Sequence, residues 1–472
     1  MAYCGYIVKI QNLRPHTNAD RLQIATVFGN DVVVGLDTHV GQLMVYFPTD
    51  GQLGEEFCKV NDLVRRKDEN GNPAGGYLDP DKRNIKAVKL RGEKSDGLLC
   101  PITSLANFTT ISDLREGDTI TILNGVEICR KYIPRSNRRS GGSHGHAKCA
   151  KANFAPTFYE HVDTEQLAYN LHKFKAGDVV ELTLKMHGTS GRTGYLPLTK
   201  MKRNWLDKLL RRAGKEYKEY GYVTGTRRVV LDSKHDGGFY GDNSFRHAMA
   251  KKFEGKLRKG EVVYYEIVGF VNANTPIMSS CNNSKIKDKE FSKQYGAETV
   301  FSYGCEQTGD FEPAYDSENA TNFVAPKCQV YVYRMTMVNE DGDVVEMSPD
   351  QMRLRCEQMG IKYVPVFERF IIPEDEWIEN CQDDEGNAVV LKMRRGMGPG
   401  EYALRKVEQY FDGPDPIGKT HIREGVVARI VSRPDIAVYK HKNFHFKVLE
   451  GIIKDEAETP DMEEAQEESN EK

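Results

Sequence analysis

Over the first 127 residues the apolar positions fall in short alternating runs: YIVKI, LQIATVFG, DVVVGL, LMVYFP, IKAVKLRG and DGLLCPI. Alternation over four to eight residues, bounded by Gly, Pro, Asn and Asp, predicts half-buried strands. Strands this short and closely spaced predict a small β-barrel. The low-apolar stretch RRKDENGNPAGGYLDPDKRN, residues 65–84, breaks the pattern and predicts a mobile loop. Residues 129–155 are rich in Gly, Ser, Arg and Lys without apolar periodicity, as a basic flexible linker would be. From residue 156 to 453, strand-like and helical runs alternate, which predicts one large α+β domain. Within it Leu198–Gly221 reads as a basic amphipathic helix. Residues 454–472 have almost no apolar positions and predict a disordered acidic tail.

Composition changes this picture little. A chain of 472 residues exceeds one ordinary core, so more than one domain is expected. No run of 18 apolar residues predicts a membrane span, and MAYCGYIVKIQNL lacks the pattern of a secretory signal. The ten cysteines stand singly with no C-x-x-C pair, the usage of a reduced, cytoplasmic protein. His144, His146 and Cys149 could ligate zinc, but no second pair lies near them. The tail holds nine acids against two lysines, a net −7 within a chain of −3, so the remainder carries +4. A mildly basic folded part is compatible with an anionic partner.

Two stretches of the first region resemble a known module. PHTNADRLQIATV (Pro15–Val27) and KLRGEKSDGLLCP (Lys89–Pro101) are similar, in order, to two motifs of the EMAP-type tRNA-binding OB-fold. The resemblance implies an OB-fold β-barrel with a basic, aromatic-lined groove, for which Tyr46, Phe47, Lys86, Lys89 and Arg91 are the available residues.

GPDPIGKT (Gly413–Thr420) fits the P-loop expression, yet its surroundings do not. A P-loop needs a strand before it, a helix after it and a row of backbone N–H groups. Here EYALRKVEQYF reads as a helix, HIREGVVARIV reads as a strand, and Pro414 and Pro416 remove two donors.

The stretch ELTLKMHGTSGRTGYL (Glu181–Leu196) ends a strand on Lys185 and turns at Gly188. A lysine amine becomes a nucleophile only when its pKa falls from about 10.4, through burial or neighbouring cations. Further elements follow in order. GTRRVVL carries Arg227 and Arg228. GEVVYYEIVGF sets Glu266 in an apolar strand. CQVYVYRMTMV places Tyr331 and Tyr333 two apart. REGVVARIV opens with Glu424, and AVYKHKNFHF carries Lys440 and Lys442. Each element alone is weak.

In this order they resemble the covalent nucleotidyltransferases, that is, RNA ligases, DNA ligases and mRNA capping enzymes. KMHGTS and YKHKNFHF are closer to the RNA-ligase forms of these motifs. A barrel before the transferase domain resembles the Deinococcus- and Naegleria-type RNA ligases. The resemblance implies an antiparallel-sheet nucleotidyltransferase domain flanked by helices, and ATP-dependent joining of RNA 3′-OH and 5′-phosphate ends with Mg²⁺ or Mn²⁺. It also implies roles. Lys185 is the nucleophile, Lys440 and Lys442 contact the α-phosphate, and Glu424 holds the metal. Tyr333, or else Tyr331, stacks on adenine; Glu266 and Ser190 meet the ribose beside Gly188. Arg227, or else Arg228, grips the RNA 5′-phosphate. His187 stands where many relatives carry Asp, so a donated hydrogen bond to phosphate is its expected contribution. A monomer is expected, with no membrane partner. Nicked duplexes, bridged ends and free strands all stay open as substrates, as does a viral source. An mRNA guanylyltransferase and a non-catalytic RNA-binding protein are the alternatives.

Overall fold

The computed structural model describes residues 3–67, 70, 73–132, 154–202, 205, 214–231, 244–272, 275–277, 289, 292–293, 312–313, 327–373, 378–382, 388–392, 398–418 and 421–455. Most of the expected linker, with His144, His146 and Cys149, and the acidic tail from residue 456 lie outside them. The contacts separate two units. Met1–Arg135 with Phe444–Ala457 form one, and Ser136–Asn443 with Glu458–Lys472 the other.

In the first unit the alternating runs become β1 (Gly5–Lys9), β2 (Leu13–Pro15), β3 (Leu22–Val27), β4 (Asn30–Gly35), β5 (Leu43–Phe47), β6 (Ala87–Leu90), β7 (Glu93–Asp96), β8 (Leu98–Pro101) and β9 (Thr119–Ile120). They build a four-stranded antiparallel sheet in the order β8-β5-β1-β9, a three-stranded sheet β2-β3-β4 and a β6-β7 hairpin. Among the described residues these are separate open sheets, not a closed barrel. Ile7, Val45, Phe47, Leu53, Phe57 and Leu105 form the core. Tyr46 and Phe47 are both fully buried, and Tyr46 donates its hydroxyl hydrogen to the Asp96 carbonyl at 2.8 Å. Neither is therefore an exposed stacking platform. Alternation across β5 fails because both faces of that strand are covered.

The two stretches of the tRNA-binding-type motif are fastened to each other. Buried His16 accepts from the Asn18 N–H at Nδ1 (3.0 Å), so Nε2 carries the hydrogen and donates to the Leu90 carbonyl at 3.1 Å. Asn18 Nδ2 donates to the Arg91 carbonyl at 3.1 Å. These residues are explained by closure of two loops whose backbone groups need partners. The expected loop at 65–84 contains a hairpin instead: Arg65–Lys67 pairs with Pro73–Gly75. Gly75, at φ +75°, permits this, since a Cβ there would lie 2.5 Å from the Val64 carbonyl oxygen. The C-terminal helix Phe444–Asp455 packs in this unit through buried Phe446 and Leu449, and Lys447 pairs with Asp96 at 2.5 Å. The cysteines at 4, 58, 100, 129, 328 and 356 are free and buried.

The second unit is built on two sheets. The larger runs Val230–Leu231, β13 (Lys215–Gly225), β12 (Thr189–Lys202), β14 (Glu261–Asn272) and β15 (Lys327–Val338), with β16 (Val344–Glu346) on β15. The smaller has the order β10 (Glu165–Gln166), β19 (Val438–Lys442), β18 (Gly425–Ile430), β11 (Val179–Lys185) and β17 (Val366–Ile371), antiparallel except for β10. The expected helix at 198–221 is corrected at both ends, while Trp205 is helical and residues 203–204 and 206–213 lie outside the described residues. Leu198–Lys202 and Lys215–Gly221 belong to β12 and β13, paired Leu198↔Glu219 through Lys202↔Lys215. Strand pairing that begins in the core at Arg192↔Gly225 continues outward and satisfies the backbone, overriding the helix propensity of Lys, Leu and Arg.

Period-two alternation divides the larger sheet. On one face Val263, Tyr265 and Ile267 of β14 with Val330 and Val332 of β15 pack under α1 (Ser244–Lys251) and α2 (Pro349–Met359). Helix α2 starts in a capping box between Ser348 and Gln351 and stops at Gly360, φ +65°. The smaller sheet buries Val180, Leu182, Val426 and Ala428 against α3 (Pro399–Glu408). Leu184, Met186, Val268, Tyr331 and Val364 join the two sheets beside the end of β11.

Candidate nucleotide-binding site

Strand β11 ends on Lys185 because the chain must leave the smaller sheet there and enter the larger one at Thr189. The turn crosses so close to β14 that a Cβ on Gly188 would sit 2.4 Å from the Ile267 carbonyl oxygen and 2.8 Å from Glu266 Cγ. Glycine is required by that approach. Lys185 pairs with Gly425 across β18, and Gly425 pairs with Lys442 across β19, so both lysines lie in one row. Lys440, opposite Val427, follows two residues back on the same face. Gly425 adopts φ +156°, and a Cβ there would lie 2.1 Å from the His441 carbonyl oxygen. The Glu-Gly pair thus sets Glu424 tightly against β19.

Glu424 is the hub. Its carboxylate lies 2.5 Å from Lys185 Nζ, 3.3 Å from Lys442 Nζ and 3.5 Å from His187 Nδ1. Burial alone would raise its pKa. Lys185 and Lys442, with the His187 hydrogen bond, outweigh burial and hold the carboxyl well below the usual range. Asn443, to which no role was given from the sequence, positions this hub. Its N–H donates to the Glu424 carbonyl at 2.8 Å and its side chain to Asp412 Oδ1 at 2.7 Å. Its fixed place directly after Lys442 was the available signal.

In the larger sheet, past the turn at Gly188, Ser190, Glu266 and Tyr331 are aligned across β12, β14 and β15. Ser190 Oγ donates to Glu266 Oε2 at 3.4 Å. Tyr331 is buried in the apolar layer between the sheets, whereas Tyr333 is only partly buried. Tyr333 is the extra residue of a bulge, since Tyr264 pairs with Arg334 and Tyr265 with Val332. The His161 ring stacks on Tyr333 at 5.2 Å between centroids and 25° between planes.

Arg227 and Arg228 meet Asp163, at 2.5 and 3.6 Å. Their turn is fixed by Arg192, fully buried, which donates to the carbonyls of Thr226 (2.9 Å), Arg228 (3.1 Å), Phe158 (3.1 Å) and Tyr159. Burial pushes the Arg192 guanidinium down to about 10. Nothing in the strand-like reading of GRTGYL distinguished this arginine from an exposed one.

The resemblance of GPDPIGKT to a P-loop ends in this geometry. Asp415 Oδ1 accepts the N–H groups of Ile417 (2.8 Å) and Gly418 (2.9 Å), donors that a phosphate would need. Helix α3 precedes the stretch and β18 follows it, while Lys419 and Thr420 lie outside the described residues.

No family model matches this sequence, and no curated protein sequence matches it. The fold does match solved structures. Naegleria gruberi RNA ligase with pyrophosphate superposes with TM-score 0.52 at 15% identity, covering 94% of this chain and 97% of that one. A lysine-to-alanine variant of that ligase with ATP and Mn gives 0.51 at 14% identity, with the same coverage. A glutamate-to-alanine variant with AMP and Mn gives 0.51 at 16%, again over 94% and 97%. The chain therefore has a fold like that of these RNA ligase structures.

Proposed function

We propose that this protein is an ATP-dependent RNA ligase that joins a 3′-OH to a 5′-phosphate. The observation that carries the reading is the meeting of Lys185, Lys442 and His187 on buried Glu424, joined by the turn at Gly188 to Ser190 and Glu266 of the larger sheet. Lys185 attacks the α-phosphorus of ATP, forming the N–P bond of lysyl–AMP as pyrophosphate departs. The RNA 5′-phosphate takes the adenylyl group, releasing Lys185. The 3′-OH then attacks the activated end and AMP leaves. Each step is a displacement at phosphorus, so positioning and charge stabilisation dominate.

Lys440 and Lys442 supply cationic donors for the α-phosphate. Glu266 and Ser190 suit ribose hydroxyls, Tyr333 suits the base, and Arg227, with Arg228, suits the RNA phosphate. His187 donates to a phosphate oxygen once its Glu424 contact is exchanged, a reading supported by its place 3.5 Å from that carboxylate. Among the described residues no three His, Cys, Asp or Glu side chains form a metal cage. Magnesium and manganese accept one carboxylate completed by water and phosphate oxygens, which Glu424 can provide. Bound there, the metal neutralises phosphate charge. In the first unit an OB-like RNA-binding role would fall to Lys89 and Arg91, because Tyr46 and Phe47 are core.

The test uses RNA strands bearing a 5′-phosphate and a 3′-OH, with ATP and Mg²⁺. Adenylylated RNA followed by joined product is expected. Label transfer from GTP instead, without joining, would move the assignment to a capping-type guanylyltransferase.

A further inference from the structure

One segment touches both ends of the site proposed above. Residues 157–163 run beside β12 and are anchored by Arg192 at the carbonyls of Phe158 and Tyr159, and by the Tyr159 hydroxyl donating to the Gly342 carbonyl at 2.9 Å. Beyond these anchors the His161 N–H donates to the Arg227 carbonyl at 3.1 Å. The His161 ring lies flat on Tyr333 and is tilted against Tyr264 at 5.3 Å. Two residues on, the half-exposed Asp163 carboxylate sits on Arg227 and Arg228. An aromatic ring thus lies on the base platform and an anionic group on the phosphate clamp, within one short length of chain.

We propose that this segment is an internal stand-in for nucleotide, with His161 in the place of the base and Asp163 in the place of the 5′-phosphate. It makes the order of binding a property of the chain. ATP must displace the His161 ring from Tyr333. Because Asp163 is only two residues away, that displacement loosens its hold on the arginines and opens them to RNA. Before adenylylation a 5′-phosphate competes with Asp163; after it, the arginines are available. This inference rests on the roles given to Tyr333 and Arg227.

The experiment uses the full chain and two variants, His161→Ala and Asp163→Asn, with His161→Phe as the ring-retaining control. Two quantities are read: the ATP concentration for half-maximal labelling of the enzyme, and the preference for 5′-phosphorylated over 5′-hydroxyl RNA without ATP. Loss of a ring stack converts to a fall of about 2- to 10-fold in half-saturating ATP for His161→Ala, with His161→Phe near wild type. Loss of a partly exposed ion pair gives Asp163→Asn a rise of up to about 5-fold in 5′-phosphate preference. Labelled wild type with both quantities unmoved in folded variants overturns the stand-in and leaves the ligase assignment intact. If neither wild type nor any variant takes label, the ligase assignment falls and the stand-in falls with it. A His161→Ala chain that fails to fold leaves Asp163→Asn as the deciding variant.

Discussion

Replacing Glu424 with Gln should destabilise the second unit at neutral pH and do so less as the medium is acidified. The carboxylate is 4% exposed, with lysine nitrogens at 2.5 and 3.3 Å. At an effective dielectric of 20 each contact is worth about 5 to 7 kcal/mol before desolvation, and burying the carboxylate cancels much of that. Glutamine removes the charge but keeps hydrogen-bonding atoms, and both lysine side chains reach some solvent, so a net loss of about 3 kcal/mol follows. The folded-state pKa of Glu424 lies below its ordinary value of 4.5, so its contribution is present above that value. It fades as pH falls from there through the folded-state pKa. Urea unfolding followed by far-UV circular dichroism reads the transition of the strands that carry Glu424 and its partners. Wild type minus Glu424→Gln should be constant from pH 7 to about 5 and shrink below about 4.5. A variant as stable as wild type at pH 7, or a difference that does not change down to pH 3.5, would refute the ion-pair assignment.

Three further outcomes follow from the same geometry. Gly188→Ala places a Cβ against the Ile267 carbonyl and should cost about 1 to 3 kcal/mol in the urea transition, with loss of enzyme labelling; a stable, active variant would contradict the close approach. His187→Ala should slow joining while leaving the unfolding free energy within about 1 kcal/mol of wild type, measured by single-turnover ligation and urea titration. The outer β12–β13 hairpin carries exposed Lys200, Lys202 and Lys215 on one strand face. Changing all three to Glu should weaken RNA binding and flatten its salt dependence without altering labelling by ATP, read by titrations at several salt concentrations.

What could be read from the sequence was local and ordered. The ends of β11 and β19 were visible because Lys185 and Lys440–Lys442 close alternating runs next to glycine or asparagine. The register that aligns Ser190, Glu266 and Tyr331 follows from those same strands once they pair. What stayed hidden depends on contacts between distant segments. Leu198–Gly221 has the composition of a helix, yet its ends continue strands that pair from the core outward. Tyr46 and Phe47 looked like a platform, yet both faces of β5 are covered. Arg192, His161 and Asp163 carry no motif of their own. Their importance lies in carbonyls, a ring and arginines brought to them by folding, which no spacing along the chain expresses.

In the proposed ligase, Lys185 is the nucleophile toward ATP. The most direct measurement incubates the full chain with Mg²⁺ and ATP labelled at the α-phosphate, beside Lys185→Ala and a parallel labelled-GTP sample. The geometry predicts covalent, acid-labile label from ATP that is absent from Lys185→Ala. Folded protein that takes no label, or label that persists in Lys185→Ala, would contradict it.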